Sequence, residues 1–173
     1  MIGKLDKSPQ LDIFRVPLRH HIREDNELVR LAGKIKWEQI SLRLEGHYSP
    51  DKGRRAIPVR KMAGLLILKY IYGCSDNSIL RHWIQDPCIQ YFCGEVWFSE
   101  KPLMNRFDLV SFRKRIGEKG MKVIFYPELL STLNRMKHSR EKGLHIAHSP
   151  WNFMDFFRHF LFPKLTVNHQ SKV

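Results

Sequence analysis

The stretch Val59–Tyr72 constrains this chain most. Almost every residue in it is apolar, and Arg60, Lys61 and Lys69 are its only charges. A helix on a domain surface shows a polar stripe; one that is apolar on nearly every side has to be enclosed by other elements. Pro58 suits the first turn of such a helix, and Gly73 suits its left-handed stop. The apolar run around Leu65–Leu68 is broken by Lys69 and falls far short of a bilayer crossing. The expectation is therefore a central core helix, with the rest of the chain supplying its surroundings.

Those surroundings read as helical. Asn26 is a good N-cap, and Leu28, Leu31, Ala32 and Ile35 follow at amphipathic spacing. Trp37, Ile40 and Leu44 repeat that spacing and predict a second helix ending at Gly46. Ser75 or Asp76 caps a helix whose inner face is Ile79, Leu80, Trp83 and Ile84, ended by Asp86-Pro87. Ile89 to Phe92 reads as a short turn, and Gly94 opens a loop to about Asn105. Asn105 or Asp108 caps a further helix with Leu109, Phe112 and Ile116 on one face, punctuated by Gly117 and Gly120. Another helical stretch is expected over Glu128–His138. The fold class is all-α: a multi-helix domain over 26–124 with helix-turn-helix-like elements. An irregular lead-in, 1–25, precedes it, and a divergent tail, 125–173, follows.

Charge narrows the partner. Thirty Lys and Arg stand against 17 Asp and Glu, a net +13, which favours polyanions and salt-dependent association with nucleic acid. Basic proteins of other kinds share such a balance. The three cysteines, Cys74, Cys88 and Cys93, form no CxxC pair and read as reduced thiols, not a disulfide framework or zinc site. Met1–Asp6 opens no signal peptide, so the chain is read as cytoplasmic, with no membrane partner. His20-His21 and His145/His148 lack carboxylate or thiol companions at ligand spacing, so no metal is expected.

Three basic features are candidates for DNA contact. The helix carrying Phe112-Arg113-Lys114-Arg115 has an apolar back and a front of Ser111 and Lys114, with Arg113 and Arg115 on its flanks. An apolar back anchors a helix while its front offers forks and hydroxyls to base edges and phosphates. The alternative is a solvated basic face, with Arg113 the most structural of the set because it flanks the apolar side. The second feature is the helix pair joined through Gly73-Cys74, with helix-turn-helix spacing; its alternative is an ordinary core hairpin. The third is the basic segment of Lys52, Arg54, Arg55, Arg60 and Lys61, suited to phosphates. The aromatic stripe Trp151–Phe160 reads as a packing or docking element. Catalysis has no support: beyond residue 120 the only acids are Glu128, Glu141 and Asp155, too few and scattered for a divalent-metal site.

The blocks Leu28-Val29-Arg30-Leu31-Ala32…Ile35-Lys36-Trp37, Pro58-Val59-Arg60…Gly64–Lys69, Trp83…Gln90–Gly94 and Phe112–Gly117 stand in an order that resembles the N-terminal domain of InsH-type insertion-sequence transposases. The resemblance runs from about His21 to Ile124. It implies a helical domain that binds double-stranded DNA at terminal inverted repeats. Ser111, Lys114 and Arg115 would then be base readers, Arg113 part of the same DNA-binding run, and Arg54, Arg55, Arg60 and Lys61 phosphate contacts. In the family an RNase H-like domain with a DDE carboxylate triad follows and binds divalent metal. None of those acids maps onto this sequence, and residues after about 124 do not resemble the family, as a frameshift or insertion would leave them. The expectation is a non-catalytic chain without a cofactor of its own, Mg belonging only to the catalytic domain. Two other readings stay open: a truncated regulator that contacts full-length transposase or a second copy of itself, and an inert remnant.

Overall fold

A computed structural model describes residues 16–48, 57–101 and 104–143. Among the described residues the regular structure is helical and contains no strand, so the all-α class holds. In chain order the helices are α1 (Leu18–His21), α2 (Glu27–Lys34), α3 (Trp37–Leu44), α4 (Val59–Tyr72), α5 (Asp76–Gln85), α6 (Pro87–Phe92), α7 (Arg106–Ile124) and α8 (Pro127–Gly143). A single 3-10 turn, Glu45–His47, extends α3.

Helix α4 is enclosed as its sequence requires. Every residue from Met62 to Ile71 is buried, and α3, α5, α7 and α8 pack around it. Gly73 adopts φ 59°, the left-handed stop that spares a side chain, and the chain turns into α5. Trp83 of α5, Phe92 of α6 and Phe112 of α7 are almost wholly buried in the same core. Truncating one of these aromatics to Ala costs about 3–5 kcal/mol. Gly64 lets α6 approach: a Cβ there would meet Cys93 Sγ at 3.2 Å and Cys93 Cα at 3.3 Å.

The caps follow local chemistry. Asn26 accepts from Leu28 N, and Ser75 accepts from Ser78 N, each satisfying a first-turn amide. Asp86-Pro87 does end α5, but it also starts α6, so the stretch expected to be a turn is a helix. The Asp86 carboxylate accepts from Cys88 N and Ile89 N, and Pro87 occupies a first-turn position where no donor is missed. Buried Gln90 then fastens the loop behind it. Its amide donates to Trp83 O at 3.0 Å and Ser99 O at 2.7 Å, and its carbonyl accepts from Ser99 N at 2.8 Å.

The helical body reaches beyond 26–124 at both ends. Leu18, in the stretch expected to be irregular, is 1% exposed, donates its amide to Val96 O at 2.8 Å, and sits where α1 packs on α6. Helix α8 packs on α4 through Leu129 and Leu133, and Tyr70 hydrogen-bonds to Asn134.

Candidate nucleic-acid interface

Helix α7 begins with a reciprocal cap. Asn105 Oδ1 accepts from Phe107 N at 2.8 Å and Asp108 N at 3.2 Å, while Asp108 Oδ2 accepts from Asn105 N at 2.9 Å. Leu109, Phe112 and Ile116 bury one face against α3, α4 and α5. Ser111, Lys114 and Arg115 are exposed on the other side. Gly117, expected to mark the helix end, instead kinks it: φ 57° and ψ −163° interrupt the turn, and the helix resumes to Ile124. That conformation is essentially confined to glycine. Gly120 lies so close to Ile116 and Leu44 that a Cβ would stand 2.4 Å from Ile116 Cβ.

Arg113 does not belong to the exposed face of α7. It is 5% exposed, and its fork lies on one carboxylate: Nη1 donates to Asp76 Oδ1 at 2.9 Å and Nη2 to Asp76 Oδ2 at 2.7 Å. Lys69, 1% exposed, shares the same carboxylate. The cluster ties α4, α5 and α7 together. Burial pushes the Lys69 ammonium down to about 8, with Asp76 holding it partly up. Burial raises the Asp76 carboxyl, but hydrogen bonds from Arg113 and Lys69 outweigh it and hold Asp76 below its ordinary value.

Arg115, two residues on, lies over the half-buried ring of Tyr48 at 5.0 Å and keeps an exposed surface. Burial raises the Tyr48 phenol above its ordinary value, and Arg115 opposes that shift. Lys122 pairs with Glu118 at 2.7 Å on the second half of α7.

The expected phosphate contacts divide. Arg60 and Lys61 are engaged by groups of the domain itself. Arg60 donates to Tyr91 O and Phe92 O, each at 3.4 Å, so it caps the last carbonyls of α6, and it lies over the Trp37 ring at 5.1 Å. Lys61 pairs with Glu95, both side chains being largely covered. Arg54, Arg55, Lys52, His145, His148 and the aromatic stripe 151–160 lie outside the described residues. On α5, Asn77 and Arg81 are exposed, while His82 stands edge-on to Tyr72 at 5.6 Å.

Sequence reasoning missed Asp76 as the centre of the buried cluster, because a residue after Ser75 reads equally well as a cap. Lys69, buried in an apolar helix, was the signal that a carboxylate had to meet it. Tyr48 gave no signal, since its partner lies 67 positions away in sequence. Among the described residues no group of His, Cys, Asp and Glu is arranged to hold a metal ion, and no helix is long and apolar enough to cross a membrane. The three cysteines are free, and burial drives the Cys93 thiol far up, away from thiolate chemistry.

This arrangement has relatives. The profile of the transposase domain DUF772 matches residues 16–115, more than half of the chain. The chain belongs to the DUF772 transposase domain family. The DUF772 match runs from the residues just before α1 into the exposed stretch of α7 and ends at Arg115; α8 lies beyond it. An uncharacterized protein, ORF8 of the nfe locus of Rhizobium meliloti, is 36% identical over 110 residues. That alignment takes in 64% of this chain and 53% of the relative, so the chain spans about half of that protein's length. No solved structure matches. Membership in the DUF772 family ties this chain to transposition, and it places the buried Asp76 cluster and the outward face of α7 inside the shared region.

Proposed function

We propose that this chain binds double-stranded DNA at the terminal inverted repeats of an insertion sequence, as the non-catalytic part of a transposase, with the outward face of α7 in the major groove. One observation carries the reading. The first half of α7 anchors an apolar back while presenting Ser111, Lys114 and Arg115 to solvent. Arg115 supplies a guanidinium fork suited to a guanine edge, and Lys114 and Ser111 suit phosphate or base acceptors. Arg54 and Arg55 complete the proposal as phosphate contacts; Arg60, Lys61 and Arg113 are left out because they are engaged inside the domain. DNA binding of this kind needs no cofactor.

A fluorescence-anisotropy titration tests the reading, using a terminal-repeat duplex and a scrambled duplex at two salt concentrations. The repeat should be preferred by about a hundredfold or more, a threshold set below the roughly thousandfold or greater gap usual between specific and non-specific sites. Arg115→Ala and Lys114→Ala should each cost about 1–3 kcal/mol and relax that preference, whereas loss of a phosphate contact at Arg54 or Arg55 should flatten the salt slope by about one. Equal binding of both duplexes, collapsing with salt, would leave only the net charge at work. Unchanged specificity in both variants would remove α7 as the reading helix.

A further inference from the structure

We infer that Phe107 reads the 5-methyl group of a thymine, making it a specificity-determining residue of the α7 face. The inference rests on the proposed reading of α7 as the groove-facing helix. Phe107 is 62% exposed in the first turn of α7. At about 100° per residue, Phe107, Ser111 and Lys114 fall within about 60° of arc, diametrically opposite the buried row of Leu109, Phe112 and Ile116. The ring therefore heads the same stripe as the polar groups assigned to DNA. Among the described residues the other large exposed apolar side chains, Val16, Leu42 and Phe98, lie off α7.

The chemistry of the groove selects the ligand. Of the four bases, only thymine presents an apolar group to the major groove, and aromatic or methyl side chains are its natural contacts. Recognition helices bring their N-terminal residues nearest the base edges, and Phe107 is the second residue of α7. The Arg106 guanidinium lies over the Phe107 ring at 4.7 Å. That contact sets a cation beside the ring for a neighbouring phosphate, while Phe107 stays 62% exposed. Phe107 makes no contribution to the core, so its replacement leaves the fold intact and reports on binding alone.

The test uses the full chain to enrich a preferred duplex from a randomised DNA pool. Each thymine of that duplex is then replaced singly by deoxyuridine, which pairs identically and lacks the methyl. At one position the wild-type chain should lose about fourfold in affinity, the value of one buried methyl-sized group. Phe107→Ala should bind the parent duplex weaker by a similar factor and be indifferent to deoxyuridine at that position. Lys114→Ala should remain sensitive there. If the two losses multiply, or if Phe107→Ala binds like the wild type, the inference is overturned while the α7 reading stands. A change in sedimentation of Phe107→Ala would assign the ring to a protein contact and overturn it too. If no sequence is enriched, the groove reading itself falls and this inference with it.

Discussion

Helix α4 and the first half of α7 carry the same types of cation and dispose of them in opposite ways. On α4, Lys69 is buried on Asp76, Arg60 caps the carbonyls of α6, and Lys61 is covered beside Glu95. On α7, Arg113 joins the buried cluster, but Lys114 and Arg115 remain at the surface. A helix enclosed on all sides has nowhere to put a charge except against a partner, because an unpaired buried ion is too costly. A helix with one anchored face leaves its other cations free to meet a ligand. Basic residues are thus no guide to a binding surface until the face they stand on is known.

The largest test of this division is on the inside. Asp76→Asn leaves two buried cations around a neutral amide, and should destabilise the chain by about 3–5 kcal/mol in denaturant unfolding. A loss below about 1 kcal/mol would mean that the cluster is not the tie between α4, α5 and α7. Next in size is Gly120→Ala. Its Cβ would stand 2.4 Å from Ile116 Cβ and 3.0 Å from Leu44 Cδ2, so the two halves of α7 must shift relative to each other at the Gly117 kink. A cost of about 1–3 kcal/mol is expected from such overpacking. A neutral effect on the melting temperature would show that the kinked half is loosely seated.

The pH dependence sharpens the comparison further. Lys69 titrates at about 8 when folded and near 10.5 when unfolded. Between those values the unfolded chain binds more protons, so stability should rise with pH through that window. Lys69→Met should abolish this rise; an identical slope in both proteins would mean that Lys69 is not the group responsible. Asp76 acts at the other end. Its contribution is present above the ordinary carboxylate value of 3.8 and is lost as pH falls through its lower folded value. The smallest effect belongs to the outside. Lys114→Ala should change stability by less than about 0.5 kcal/mol, and Arg115→Ala, which also loses the Tyr48 ring contact, by about 1 kcal/mol or less, while both alter DNA affinity, the inverse of Asp76→Asn. A large stability loss in either would move that residue to the inside class.

Much of the fold was legible locally. The enclosure of α4, the Asn26 and Ser75 caps and the Gly73 stop follow from residues adjacent in sequence, where helix periodicity and capping chemistry act. Helix α6 was not legible, because Pro87 serves both as an end signal for α5 and as a favoured first-turn residue. Nor was the second half of α7, since a glycine pair reads as a stop unless Leu44 is known to press against Gly120. The site divides on the same principle. The outward placement of Ser111 and Lys114 follows from the 3.6-residue period, and so does the doubtful position of Arg113 on the flank. The engagement of Arg60 and Lys61 depends on Tyr91, Phe92 and Glu95, more than thirty positions away, and only tertiary packing reveals it.

The kink at Gly117 also sets a limit on information. From Arg106 to Ile116 the straight part of α7 runs about 16 Å, at 1.5 Å per residue. Laid in a groove rising about 3.4 Å per base pair, it spans about five pairs. A five-letter word recurs by chance about once per thousand base pairs, against the millions of competing sites a genome offers. On the proposed reading of α7, one copy of this helix addresses a neighbourhood, not a unique location. If α7 reads the ends of one element as proposed, singling them out requires a second reader, which the short first half of α7 leaves to another segment or another copy.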